Sequence, residues 1–492
     1  MSFGAVPENP IAHQRYRELP PTLFAESNPS PVRAPSLVEL NRPFIEQIGT
    51  KSDWFCSGDA LSILSGNAVH ESNPPIAMAY SGHQFGHWVP SLGDGRAHML
   101  GQMAAADGAL IDVQLKGSGR TGFTRRGDGR ASLGSVLREY MVSEAMAGLE
   151  IPTTRSLAVI GTGEDIDREQ ALPGAILVRT AGSHVRVGSF QYASAHLGEE
   201  GVRVLADFVI ANHFPELRKA PSRYLELLGA VVERQATLIA RWMLVGFIHG
   251  VMNTDNMSII GETIDYGPCA FIDEFHPKKV FSSIDRYGRY AWDQQPSIAH
   301  WNLTRLAETL LPLVHEAPAS AEALAEEALA KFGPLFQRAF QRGMQAKLGV
   351  GPGADGTMEF AQATFAAMAK DEIDFTVFFD RLTQVAAGKP DAVLLELFSA
   401  EEAGSAWLLR WRALRTECAE SAASMRRANP VVIARNHRVE EAIDAAVDSQ
   451  DFEPFRRICR IVANPFESDP ADREFETPPQ PEERVTQTFC GT

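Results

Sequence analysis

From Ala77 to about Gly188, apolar residues come in short runs separated by glycines: His98 to Gln102, Leu110 to Lys116, Arg155 to Ile160 and Ala175 to Thr180. Runs of this length and composition predict the strands of a small sheet. Between the second and third runs, Leu133, Val136, Leu137, Tyr140 and Met141 fall on one helical face. They predict an amphipathic helix over Ser132 to Gly148, with Ser132 as N-cap and Gly148 as C-cap. After about Gln191 the helical period takes over, in Tyr224 to Val245, Ile298 to Leu311, Met358 to Ala369 and Val393 to Glu420. Gly333-Pro334 splits the helical stretch Ser320 to Leu348, Pro334 opening the second piece. The first 75 residues, rich in Pro and Asn with short periodic stretches such as Pro35 to Ile48, read as an arm laid over a core. The tail from Pro465 to Glu483 holds seven acidic residues and five prolines, so it is either loose or pinned by its last residues. The pattern therefore predicts an α+β chain: an arm (1–75), a small β-rich lobe with one helix (76–190), a larger helical lobe (191–464) and a tail (465–492).

At 492 residues the chain is longer than one hydrophobic core usually supports, in keeping with two lobes. A net charge of −16 repels phosphate backbones and anionic lipid, so neither nucleic acid nor a membrane surface is expected as the main partner. Any polyphosphate must be held by a local basic cluster. The longest apolar candidate, Ala230 to Val251, is interrupted by Glu233, Arg234, Gln235 and Arg241, which argues against a membrane span. The first residues lack a targeting pattern, and a cytoplasmic location is the default expectation. Five cysteines without CxxC spacing indicate neither a disulfide framework nor a zinc site. Cys490 stands apart as a thiol near the chain's end, where a partner can reach it.

Four constellations carry chemistry. Ser91-Leu92-Gly93-Asp94-Gly95-Arg96 is either an ordinary tight turn or a loop that lets backbone N–H groups approach a phosphate, with Arg96 adding charge. Asp112 to Leu115 is a strand ending in Lys116, and the helix that follows carries Glu139 off its apolar stripe. A glycine loop, a strand lysine and a helix glutamate in that order hold and orient ATP phosphates in kinases. Arg125, Arg126 and Arg130 flank Gly127-Asp128-Gly129, and Arg179 and Arg186 follow the last strand. Arg125 and Arg130 also fit surface ion pairs, whereas Arg179, after Ile176-Leu177-Val178, needs a partner if buried. The fourth is His249 to Ile260 followed by Asp265-Tyr266-Gly267, which has the layout of a kinase catalytic loop and metal-binding Asp. Asn256 and Asp265 offer the oxygen ligands that suit Mg²⁺. Aligned on His249 and Asn256, the usual catalytic Asp position is Val251, which cannot accept a proton. Either the protein is a dead kinase or the base has moved. Asp255 is the candidate base, with a third metal ligand or a loop cap as its alternatives.

The runs Tyr80-Ser81-Gly82-His83-Gln84-Phe85-Gly86, Lys116-Gly117-Ser118-Gly119-Arg120-Thr121, Arg138-Glu139-Tyr140, His249 to Asn256 and Asp265-Tyr266-Gly267-Pro268-Cys269 resemble the selenoprotein O family. The likeness spans roughly Tyr80 to Glu274, with a further match at the Cys490 tail. It implies a protein-kinase-like bilobal fold that binds ATP flipped, exposing the α-phosphate, and that transfers AMP to Ser, Thr or Tyr hydroxyls of proteins. On matching positions it implies that Gly93, Gly95, Arg96, Lys116, Asp128 and Gly129 contact nucleotide, with Arg179 and Arg186 on the outer phosphates. Glu139 would pair with Lys116, Asp255 would accept the proton, and Asn256 with Asp265 would hold Mg²⁺, for which Mn²⁺ is an alternative. Cys490 occupies a position that bears selenocysteine in some members. Cys269 and Cys490 are similar to a pair that forms a regulatory disulfide in relatives, against which stand two independent thiols in a reducing cytosol. The expected partners are ATP and protein hydroxyls, and the default state is a monomer. The rival functions are a kinase that moves the γ-phosphate to a protein or small molecule, and a non-catalytic ATP-binding scaffold.

Overall fold

A computed structural model describes residues 8–50, 52–71, 73–415 and 421–489. It is a mixed α/β structure with a sheet lobe and a helical lobe. The predicted strands form, with minor extensions, as Ala97–Ala104, Leu110–Lys116, Arg155–Asp167 and Ala171–Ala181. They belong to an antiparallel sheet of nine described strands, in the order Phe24–Glu26, Ile76–Met78, Ala97–Ala104, Leu110–Lys116, Ala171–Ala181, Arg155–Asp167, Ser36–Leu40. Ile11–His13 adds to Ala97–Ala104, and Ala131–Ser132 adds to Ala171–Ala181. The N-terminal residues thus supply strands at both edges of the sheet, closing edges that would otherwise present unpaired backbone.

Strand alternation sends the two sheet faces to different tasks. Val113, Leu115, Ile160, Ile176 and Val178 point to one face, where Phe44, Ile45, Trp54 and Leu64 of the N-terminal segment complete a separate core. Gln114 and Lys116 point the other way, and the register sets Gln114 opposite Arg179 and Lys116 opposite Leu177. The helix Leu133–Gly148 lies on that second face, with Ser132 as N-cap accepting from the Ser135 N–H at 3.4 Å. The helix ends at Gly148 but is capped by Leu149. Gly148 is there for packing: a Cβ on it would sit 2.1 Å from the Val462 carbonyl oxygen.

The helical lobe contains Val187–His213, Arg223–Leu244, Gln295–Val314, Pro318–Ala330, Phe332–Leu348 and Thr357–Lys370, followed by shorter helices. Pro334 lies in the first turn of Phe332–Leu348, where its missing N–H costs nothing. The single helix expected from Val393 onward is instead two, Ala392–Leu395 and Glu401–Arg415, and residues 416–420 lie outside the described residues. The chain breaks where Phe398 turns in against Trp407 and the Ser399 hydroxyl donates to Asp371 at 2.5 Å. No helix among the described residues is long and apolar enough to cross a membrane.

The lobes are stitched beside the cleft. The Val187 N–H donates to the Met257 carbonyl at 2.9 Å, and the Ile259 N–H to that of Val185 at 3.0 Å. Behind this seam the C-terminal helices are anchored by Arg435, whose Nη1 donates to Asp273 at 2.6 Å and to Asp374 at 2.8 Å while Nη2 reaches the Glu476 carbonyl at 3.2 Å. Burial, with Asp374 alongside, pushes the Asp273 carboxyl up to about 6 although Arg435 pulls the other way. Removing one partner from a buried charge cluster strands the rest, so Arg435→Ala should cost ~3–5 kcal/mol. A group whose folded-state pKa is raised binds its proton more tightly when folded. Losing Arg435 raises Asp273 further, so the deficit in thermal or urea unfolding should be full at pH 8 and shrink as pH falls toward 5.

Candidate active site

The two lobes enclose a cleft of about 1140 Å³, ample beside the roughly 300–1,000 Å³ usual for small-molecule sites. Asp265 is its electrostatic centre. Its backbone is left-handed, φ +63°, which costs a non-glycine residue on the order of 1 kcal/mol or more unless its surroundings fix it. Three cations fix it: Lys116 Nζ at 2.7 Å, Arg179 Nη1 at 2.6 Å and Arg186 Nη1 at 3.0 Å. Burial alone would push this carboxyl up, but Arg179, Lys116 and Arg186 outweigh it and hold Asp265 well below the usual carboxylate range. Glu139, buried although it stands off the apolar stripe of its helix, takes Lys116 at 2.5 Å and Arg179 at 3.2 Å. Three cations thus gather on two carboxylates here, a local concentration of basic groups of the kind an acidic chain needs to hold a polyphosphate. Arg186 lies deepest, over the Tyr80 ring at 4.5 Å, and its buried Nη2 has no hydrogen-bond partner among the described residues.

Beside this cluster the turn Thr254–Asn256 presents Asp255, whose backbone carbonyl accepts from Arg186 Nη1 at 2.9 Å. Among the described residues the Asp255 Oδ1 is buried without a hydrogen-bond partner, and Oδ2 accepts from Gln84 Nε2 at 3.5 Å. Burial pushes its carboxyl up to about 6. The hairpin Gly82–Val89 braces this turn: the His83 N–H donates to Thr254 Oγ1 at 2.7 Å and the Phe85 N–H to Asn253 Oδ1 at 3.0 Å. Gly82 permits the approach, because a Cβ there would lie 2.5 Å from Asp255 Oδ1. Asn256 commits Nδ2 to the Val251 carbonyl at 2.9 Å, leaving the amide oxygen to the cleft. Asn256 and Asp265 line the same space as hard oxygen donors, a set that fits Mg²⁺, which takes few protein ligands and keeps phosphate and water. Val251 lines it too, at the position where a kinase has its base.

Gly93, Gly95, Arg96, Asp128 and Gly129 form the outer wall of the cleft. The central donors of the glycine loop are spent within the protein: the Gly93 N–H bonds the Tyr80 carbonyl at 3.0 Å, that of Asp94 bonds Met78 at 2.9 Å, and that of Gly95 bonds Gly93 at 2.9 Å. Its contribution is shape and Arg96. Gly93 adopts φ +62° against the Phe123 ring, where a Cβ would sit 2.2 Å away. Asp128 is held by Arg168 through two bonds of 3.1 Å, and Gly129 by close approach to Gly119. One site residue escaped the sequence reading. Gln114 donates to the buried Asp94 at 2.8 Å and accepts from Arg179 Nε at 2.8 Å, tying the glycine loop to the cationic cluster. The only signal for Gln114 is a polar residue set between the apolar Val113 and Leu115.

Cys269 is buried next to the Asp265 turn, and burial pushes its thiol up to about 12. The tail crosses this turn, with Thr488 Oγ1 donating to the Pro268 carbonyl at 2.7 Å. Cys490 lies outside the described residues.

The family model described as protein adenylyltransferase SelO matches residues 12–463. The chain belongs to the SelO family. It is 53% identical over 481 residues to the protein nucleotidyltransferase YdiU of Bradyrhizobium sp. strain BTAi1, covering 97% of this chain and 98% of that one. The proteins of the same name from Shewanella denitrificans and Rhizobium etli are 51% and 50% identical, over 98% and 97% of this chain and 98% and 96% of theirs. The SelO model begins at residue 12, so it takes in the N-terminal strands that complete the sheet as well as the cleft.

Proposed function

We propose that this SelO-family chain is a kinase-like protein adenylyltransferase, which moves AMP from ATP to Ser, Thr or Tyr hydroxyls of proteins and releases pyrophosphate. One arrangement supports the reading above all. A cationic cluster around Asp265 adjoins a buried carboxylate, Asp255, whose Oδ1 has no hydrogen-bond partner among the described residues, while the ordinary kinase base position is Val251. In this reading Lys116, Arg179 and Arg186 bind the phosphates, Glu139 orients Lys116, and Gly93, Gly95, Arg96, Asp128 and Gly129 shape the nucleotide's outer path. The acceptor oxygen attacks the α-phosphorus in line, the bond from that phosphorus to the bridging oxygen breaks, and Asp255 takes the hydroxyl proton. Mg²⁺ held by Asn256 and Asp265, or Mn²⁺ in its place, would neutralise charge on the phosphate oxygens.

Labelled ATP tests the reading. Label at the α position should reach protein and label at the γ position should not. Transfer from the γ position alone would make the chain a kinase, and nucleotide-dependent melting with no transfer would make it a scaffold. The redox link belongs to the same proposal, since the Thr488 contact brings the tail across the Cys269 turn. Non-reducing peptide mapping after mild oxidation should recover Cys269 joined to Cys490, and free thiols alone would remove the link.

A further inference from the structure

Six large apolar side chains are strongly exposed among the described residues, and four of them, Trp88, Ile284, Tyr287 and Phe489, lie on three segments that meet at one lip of the cleft. The hairpin carrying Trp88 packs on the loop after Phe281 through the Phe85 and Tyr290 rings, 5.2 Å apart. The tail joins the same loop by the Thr488 N–H to the Phe281 carbonyl at 2.8 Å and the Ser283 N–H to the Thr488 carbonyl at 3.1 Å. Ile284 and Phe489 line the cleft itself. Tyr287 is 97% exposed, yet its loop is fixed: Asp285 accepts from the Arg289 N–H at 2.9 Å and the Tyr290 N–H at 2.8 Å. A held aromatic in open water, grouped with other apolar side chains, marks an interaction surface.

The charges around this lip select the partner. Arg286 is exposed beside Tyr287, and Arg125 and Arg126 are exposed along the same cleft that Ile284 and Phe489 line. Nearby carboxylates are already engaged: Asp285 in its own turn, Glu274 by Arg484 at 2.6 Å, Asp293 by Lys278 at 2.8 Å and Glu440 by Arg138 at 2.5 Å. The mouth of the cleft is therefore basic on a chain of net charge −16. A second copy would bring the same basic lip to face this one, which like-charge repulsion disfavours.

We propose that this lip is the docking surface for the acceptor protein. It takes an extended segment that places an apolar residue on Ile284 and Tyr287 and carboxylates on Arg286 and the Arg125-Arg126 pair, with the acceptor hydroxyl between them. The role of the docked segment rests on the AMP-transfer reading; the surface itself does not.

Fluorescence anisotropy with the full chain separates the two. Three labelled peptides of about twelve residues, each with a central Tyr, carry Leu with Glu, Leu with Lys, or Ala with Glu around it. The Leu/Glu peptide should bind about tenfold tighter than either other, and Tyr287→Ala with Arg286→Glu should weaken it about tenfold while ATP affinity shifts less than about twofold. In the transfer assay the same double variant should raise KM for that peptide and leave KM for ATP unchanged. Equal binding of the three peptides, or binding untouched by the double variant, would overturn the proposal. Sedimentation showing a dimer that the double variant dissolves would assign the lip to self-association and overturn it as well. Selective peptide binding without transfer of α-label would keep the surface and remove the AMP-transfer reading.

Discussion

Asp265→Asn should reduce AMP transfer by ~10³-fold or more, because a metal ligand and its charge are worth several kcal/mol in the transition state. Asparagine is the informative replacement. It keeps the shape and tolerates the left-handed backbone at this position, so the variant should fold. Its second effect separates the metal from the cations. In the ligand-free chain Asp265 ties up Lys116, Arg179 and Arg186. Neutralising it leaves Lys116 and Arg179 to share Glu139, and Arg186 with no carboxylate partner among the described residues, so metal-free ATP should bind the variant at least as tightly as it binds the parent, while Mg²⁺ no longer improves binding. Calorimetric titration of ATP with and without Mg²⁺ checks both halves. Undiminished transfer would refute the metal assignment, and loss of metal-free ATP binding would place the cations elsewhere in the reaction.

The parts of this site that are local in sequence were legible, and the parts built by pairing across the sheet were not. Lys116 could be placed at the end of a strand, and Glu139 on the next helix, from periodicity alone, and the structure sets them 2.5 Å apart. Arg179 could be expected to need a partner because three apolar residues precede it. That its partners are Asp265, Glu139 and Gln114 depends on the register between Leu110–Lys116 and Ala171–Ala181, which no single strand encodes. The glycine loop misled in an instructive way. Its composition fits phosphate contact by backbone N–H groups, whereas those of Gly93, Asp94 and Gly95 are consumed by Tyr80, Met78 and Gly93. The N-terminal segment was hardest to read because its strands are only three to five residues long and gain their stability from the edges they join. In the helical lobe the break at residues 396–400 is a tertiary effect: Phe398 is worth more in the core beside Trp407 than in register with a longer helix.

Asp255→Asn should lower transfer by ~10²–10⁴-fold, the usual contribution of a positioned general base, with little change in ATP affinity. The expectation rests on what surrounds the carboxylate. A loop-capping Asp would spend its oxygens on backbone N–H groups, as Asp374 does with the Val377 N–H at 2.8 Å. Asp255 leaves Oδ1 bare and Oδ2 at the edge of hydrogen-bonding reach from Gln84. Burying a carboxylate without partners costs free energy, and such a site persists where the oxygen has a function. Asparagine preserves the volume beside Gly82, whose Cβ would press on the Asp255 side chain, so melting temperature should move little. Gln84→Ala, which removes the one weak donor, should leave most transfer intact. The pair of results distinguishes a base from a cap: a cap predicts that Asp255→Asn unfolds the Thr254–Asn256 turn and weakens ATP binding with transfer, whereas a base predicts loss of kcat alone. Equal transfer by the parent and the Asn variant would remove Asp255 from the chemistry and return it to the loop.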